Sequence, residues 1–165
     1  MNDILKKEAV IRVQKAINDF DKNLKIQILN ETARTASDAA KALNCNVGAI
    51  VKSLLLKTDH EFVLCLVSGD KKCSLNKVKK LTGKKDVCMA NAEDVKSQTG
   101  FTIGGVSPIG LVKTLEIMID DQLKRFDNIY AAAGHPNSIF KIDYENLIKI
   151  TNGKALEISE WNNPL

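Results

Sequence analysis

The chain has 165 residues, 44% of them hydrophobic, and 24 Lys and Arg against 20 Asp and Glu give a net charge of +4. That is enough for one globular domain with a proper core, and no apolar run approaches the roughly 20 residues of a membrane span. Met1 to Lys15 mix charges with aliphatics and lack a signal-peptide core, so a cytoplasmic protein with no membrane contact is expected.

In chain order, Val10, Val13, Ile17 and Phe20 recur at helical spacing and predict an amphipathic helix over 5–20. "KIQIL" (25–29) alternates like a strand, and Thr35 or Ser37 can cap a helix running to Leu43. "AIVKSLLL" (49–56) and "FVLCLVS" (62–68) are apolar runs joined by "KTDHE" and predict a buried hairpin. Ser74 opens a basic helix to Leu81, and Asn91 caps another. Strands are expected at 114–120, 127–134, 138–142 and 155–159, with a helix capped by Asp143 before the last. Strands and helices mix without regular βαβ alternation. The expected fold class is therefore α/β: a single domain with a mixed, curved, barrel-like sheet and peripheral helices.

Conventional catalytic patterns are scarce. Cys45, Cys65, Cys73 and Cys88 show no CxxC spacing, and with two histidines they argue against a metal cluster. They read as reduced thiols in or near the core. No feature links His60 or His135 to a nucleophile. Asp120 and Asp121 are neighbours, which on a strand point to opposite faces, and Asp121 reads as a helix cap. No cofactor motif is found: "GVSPIG" (105–110) spaces its glycines like a phosphate loop but lacks the Lys-Ser or Lys-Thr that should follow.

Three features stand out. Lys52 sits inside an otherwise apolar strand, where it either snorkels to the surface or forms the cationic floor of a ligand site. "TIGGVSPIG" (102–110) concentrates three glycines and a proline, as expected of a shaped loop with free N–H groups. Between Lys71 and Lys85 lie seven lysines, Lys79, Lys80, Lys84 and Lys85 among them. They form either a solvated face or a contact for a phosphate backbone.

Taken in order and at their distances, "GAIVKSLLLK" (48–57), "GGVSPIG" (104–110), "IDDQL" (119–123) and "YAAAGHPNSIFKI" (130–142) resemble the YbaK/ProX superfamily of aminoacyl-tRNA deacylases, which includes the editing insertion of bacterial prolyl-tRNA synthetases. The resemblance covers about 25–158, leaving 1–24 as a helical extension. It implies a free-standing hydrolase that deacylates misacylated tRNA, with tRNA(Pro) the expected carrier and a synthetase a further expected partner. It implies that Lys52 is the family lysine, with Ser53 in place of the usual Thr. Gly104, Gly105, Val106, Ser107 and Pro108 match the family's GxxxP loop, and Gly134 with His135 borders the amino-acid pocket. In that setting the loop's N–H groups would hold the ester carbonyl, a water oriented by the substrate's ribose would attack, and no protein nucleophile or metal is needed. Lys79, Lys80, Lys84 and Lys85 become expected contacts for the acceptor stem. One branch carries Ser-Gly-Gly-Lys-Arg-Gly where this chain has Ala132-Ala133-Gly134-His135-Pro136-Asn137, so the resemblance leaves the amino acid open. The alternative to an enzyme is a catalytically silent module that binds tRNA or a synthetase.

Overall fold

The computed structural model describes residues 2–30 and 33–162. Helices α1 (Asn2–Leu5) and α2 (Glu8–Phe20) precede β1 (Ile26–Ile28) and α3 (Ala36–Leu43); a 3-10 turn leads into the hairpin β2 (Ile50–Thr58) and β3 (Glu61–Ser68). Then come β4 (Lys71–Cys73), α4 (Leu75–Thr82), β5 (Val87–Met89), α5 (Ala92–Thr99) and β6 (Glu116–Asp120). After a second 3-10 turn, Asp121–Arg125, the chain ends with β7 (Ile129–Ala132), β8 (Ser138–Ile142), α6 (Tyr144–Thr151), β9 (Lys154–Leu156) and β10 (Ser159–Trp161).

The main sheet runs β1-β8-β7-β2-β3-β6-β9, with β5 also pairing on β2. Pairs β2/β7, β3/β6 and β6/β9 are parallel and the rest antiparallel, so the sheet is mixed, as expected. Among the described residues the end strands β1 and β9 do not pair, and the path stops short of a closed barrel. A two-stranded ribbon, β4 with β10, lies outside it.

The short helices are specified at both ends. Thr35, Ser74, Asn91 and Asp143 each accept an N–H bond from the third residue on, and Asn44, Gly83, Gly100 and Asn152 close the helices in the left-handed conformation. The apolar face of α2 buries Val10, Val13 and Ile17, worth roughly 1.5–3 kcal/mol for each larger side chain. Val13 and Ile17 join the main core with Val51, Leu55, Leu66 and Phe140. A second cluster, around Leu56, Cys65, Val67 and Val78, fills the other face of the hairpin.

Three expectations need correction. The strand over 155–159 is two strands, because the chain turns at Glu157–Ile158 and Ser159 pairs with β4 instead. The cap before the second 3-10 turn is Asp120, whose buried carboxylate accepts from the Gln122 N–H, not Asp121. Cys88 is exposed, whereas Cys65 is buried and Cys45 and Cys73 are half-buried. No helix among the described residues is long and apolar enough to cross a membrane.

Candidate functional site

The site follows from a gap in strand pairing. On one side β2 pairs with β3 from Val51 to Thr58. On the other, β7 takes only Ile50 and Val51, and β5 takes Leu56 to Thr58, with the Ala90 N–H bonding the Leu55 carbonyl. Among the described residues no strand covers Lys52 to Leu54 on that edge. Leu55 turns its carbonyl toward β5, so strand alternation turns the N–H and C=O of Ser53, two residues earlier, into the gap.

The gap opens on a cavity of about 390 Å³, within the roughly 300–1,000 Å³ of small-ligand sites. Ile50 to Leu55 line it, facing Ile103, Gly104 and Val106 of the glycine loop, with Ala132, Tyr130 and Pro136 on another wall and Arg34 to Ala36 beyond. Most of the lining is apolar. Among the described residues its charged members are Arg34 and Lys52, both cationic, and no described Asp, Glu, His or Cys lines it. Ser53 contributes the one described buried side-chain polar atom with no hydrogen-bond partner, its Oγ. An unsatisfied buried hydroxyl is costly, so a ligand group offering it a partner would be favoured.

The structure brings Lys52, Ser53, Gly104 and Val106 together around this cavity. Lys52 is half-buried, and its ammonium donates to the Lys71 carbonyl. Burial pushes its pKa down, partly offset by Asp70, Cys73 and Asp120. Gly104 has φ of +97°, and a Cβ there would meet only Pro136 Cγ, at 3.7 Å. Gly105 serves the fold more directly: its N–H closes a turn on the Thr102 carbonyl, and a Cβ would lie 3.0 Å from the His135 nitrogen and 3.1 Å from the Gly134 carbonyl carbon. The N–H groups of Gly104 and Val106 have no partner among the described residues.

Other expected site residues lie off the cavity lining. Ser107 is fully buried, and its Oγ accepts from the Ile109 N–H. Pro108 lines a separate, smaller cavity of about 260 Å³. Gly134 packs against α2, where a Cβ would lie 2.9 Å from the Ala9 carbonyl. His135 Nδ1 accepts from the Asn137 N–H, and burial, with Lys7 and Arg34, pulls the imidazole pKa down. Lys79 and Lys80 are exposed on α4; Lys84 is paired with Glu61 at 2.6 Å, and Lys85 is exposed.

Sequence reading missed two features. One is the loop's support: Arg12 of α2 bonds the Gly110 carbonyl at 3.0 Å and the Gly100 carbonyl at 3.2 Å and stacks on Phe101, tying both ends of the loop to one helix. The other is a polar network behind Lys52, made by Ser68, Asp70, Asp120 and Arg125. Neither has a local signature, because each joins residues more than fifty positions apart.

Residues 30–150 match the aminoacyl-tRNA editing domain family. The chain belongs to that family. This editing domain is 29% identical over 135 residues to a proline–tRNA ligase of Caldicellulosiruptor saccharolyticus, covering 82% of this chain but 22% of the ligase. It is 29% identical over 133 residues to EbsC of Enterococcus faecalis, named as a candidate Cys-tRNA(Pro)/Cys-tRNA(Cys) deacylase, covering 79% of this chain and 80% of EbsC. Among solved structures, a candidate trans-editing enzyme for prolyl-tRNA synthetase superposes with a TM-score of 0.88 at 34% identity, over 93% of this chain and 98% of the other. The editing domain thus spans about a fifth of the length of that ligase and most of the length of EbsC. The family match begins after α2, yet α2 supplies Val13 and Ile17 to the core.

Proposed function

We propose that this editing domain is a hydrolase that cleaves the ester between a wrong amino acid and the 3′ end of a tRNA, with tRNA(Pro) as carrier. Beyond membership of the family, the observation carrying this reading is a mainly apolar cavity at an unpaired strand edge whose charged side chains among the described residues are those of Arg34 and Lys52. Such a lining suits a small aminoacyl group attached to a polyanion.

The chemistry follows from what the lining offers. An aminoacyl ester is already activated, so holding the carbonyl and the charge that develops on its oxygen is the main requirement. The unpartnered N–H groups of Gly104 and Val106 are the donors assigned to that oxygen. Lys52, released from the Lys71 carbonyl, supplies positive charge to the terminal nucleotide. Among the described lining residues there is no Asp, Glu, His or Cys to serve as a general base, and the attacking water is oriented by the substrate's own ribose hydroxyl. Ser53 offers its open N–H and C=O to the aminoacyl group, and its Oγ a further partner. Lys79, Lys80 and Lys85 are assigned to the acceptor stem; Lys84, held by Glu61, contributes less.

The test is a panel of tRNA(Pro) charged with Ala, Cys, Ser, Thr or Pro, under single-turnover conditions. At least one wrong amino acid should be released well above the spontaneous rate while Pro stays attached. Tight tRNA binding without release of any amino acid would instead favour a silent binding module.

A further inference from the structure

We propose that Arg125 is a positioning residue for Lys52: by occupying the Asp70 carboxylate, it leaves the Lys52 ammonium on a neutral carbonyl from which it can be released to the cavity. The inference rests on the reading of Lys52 as the cavity's working cation, and it adds a residue that does not line the cavity.

Two carboxylates act on Lys52, those of Asp70 and Asp120, and neither is its hydrogen-bond partner. Both are taken. Asp120, fully buried, accepts from the Ser68 N–H at 3.0 Å, the Gln122 N–H at 3.0 Å and Ser159 Oγ at 2.8 Å. Asp70 is gripped by both terminal nitrogens of Arg125, at 3.0 and 2.7 Å. The same guanidinium reaches Ser68 Oγ at 2.8 Å and the Gln122 carbonyl at 2.7 Å, and Ser68 Oγ donates to the Gly48 carbonyl at 2.5 Å. A bidentate fork is the strongest ordinary partner for a carboxylate and fixes its plane.

Lys52 is thus left with the carbonyl of Lys71, the residue next to Asp70. That carbonyl is held in place because β4 pairs with β10, Lys71 opposite Trp161, and the Lys71 ammonium sits over the Trp161 ring. A half-buried ammonium bound to a carbonyl exchanges it for a phosphate or ribose oxygen at modest cost. Bound to a carboxylate beside it, the same ammonium would have to break a charged pair in a poorly solvated place. Arg125 prevents that capture.

The prediction is a rescue. On the most reactive charged tRNA, Arg125→Gln should slow single-turnover release by about ten-fold or more, because the freed Asp70 pairs with Lys52. Adding Asp70→Asn should restore the rate to within about three-fold of the original. A purely structural Arg125 gives the opposite order, with the double variant no faster than Arg125→Gln. That result, or a full rate for Arg125→Gln, overturns the proposal. Should Arg125→Gln fail to fold, as judged by its melting curve, Arg125→Lys and its Asp70→Asn double carry the same comparison, since an ammonium cannot make the two-pronged grip. Lys52→Ala, run alongside, separates the two readings. If it keeps the full rate, the role of Lys52 itself fails; if it is slow while Arg125→Gln is fast, only the positioning role fails.

Discussion

At the scale of single residues, the two glycines of the loop have different duties. A methyl on Gly105 meets the backbone of Gly134 and His135 at 3.0–3.1 Å, and backbone cannot turn aside as a side-chain end can. Overpacking of this kind costs about 1–3 kcal/mol, and each kcal/mol lowers Tm by about 2–4 °C in a domain of this size. Gly105→Ala should therefore melt several degrees lower. Gly104→Ala makes only an ordinary contact with Pro136 but must hold φ of +97°, which costs about 1–2 kcal/mol, and it puts a methyl at the cavity wall. Its loss of rate should exceed any loss that its lower Tm explains. Melting curves beside single-turnover rates decide this, and equal behaviour of the two variants would contradict the division of labour. The sequence alone marks both glycines but cannot separate them, because the object each approaches lies elsewhere in the chain. Lys52 is legible for a different reason: an ammonium in an apolar strand is conspicuous wherever it ends up.

At the scale of elements, periodicity and caps located every element longer than three residues apart from the four-residue α1, which shares only Leu5 with the predicted first helix. They missed β4 and β5, each three residues long and set among lysines and cysteines. Such strands exist through their partners, β10 and β2, and carry no pattern of their own. Helix α2 was legible as an amphipathic helix but not as the loop's clamp. Arg12→Ala removes both carbonyl contacts, to Gly100 and Gly110, and the stacking on Phe101. It should lower Tm by a few degrees and speed amide exchange across residues 100–110 more than in β2 or β3. Glu8→Gln, which breaks only the exposed ion pair to Arg12, should change neither by much, since such pairs contribute little. Uniform acceleration across the molecule in Arg12→Ala would show general loosening instead of a clamp.

For the whole molecule, the mixed sheet and the order of the motifs were readable, but the pairing of β2 was not. The gap at Lys52 to Leu54 arises because β7 and β5 arrive from opposite directions and stop short of each other, a property of topology that no local window contains. The network behind Lys52 also links stability to pH. Hydrogen bonds from Arg125 hold the Asp70 carboxyl below its ordinary pKa, which is about 3.9. A carboxyl depressed on folding stabilises fully above its unfolded pKa, and that contribution is lost as pH falls through its folded value. Asp70→Asn should therefore be less stable than the parent near pH 7, and the difference should shrink as pH falls below about 4; urea unfolding across pH measures it, and a constant difference would contradict the assignment.

The central claim is that an aminoacyl ester is cleaved at the cavity beside Lys52. It is tested most directly by single-turnover release of the most reactive amino acid from tRNA(Pro) with the parent chain and with Lys52→Ala, at matched tRNA occupancy. Lys52→Ala should fold, bind tRNA, and release the amino acid at least about 100-fold more slowly. A folded Lys52→Ala that releases it at the parental rate would contradict the account.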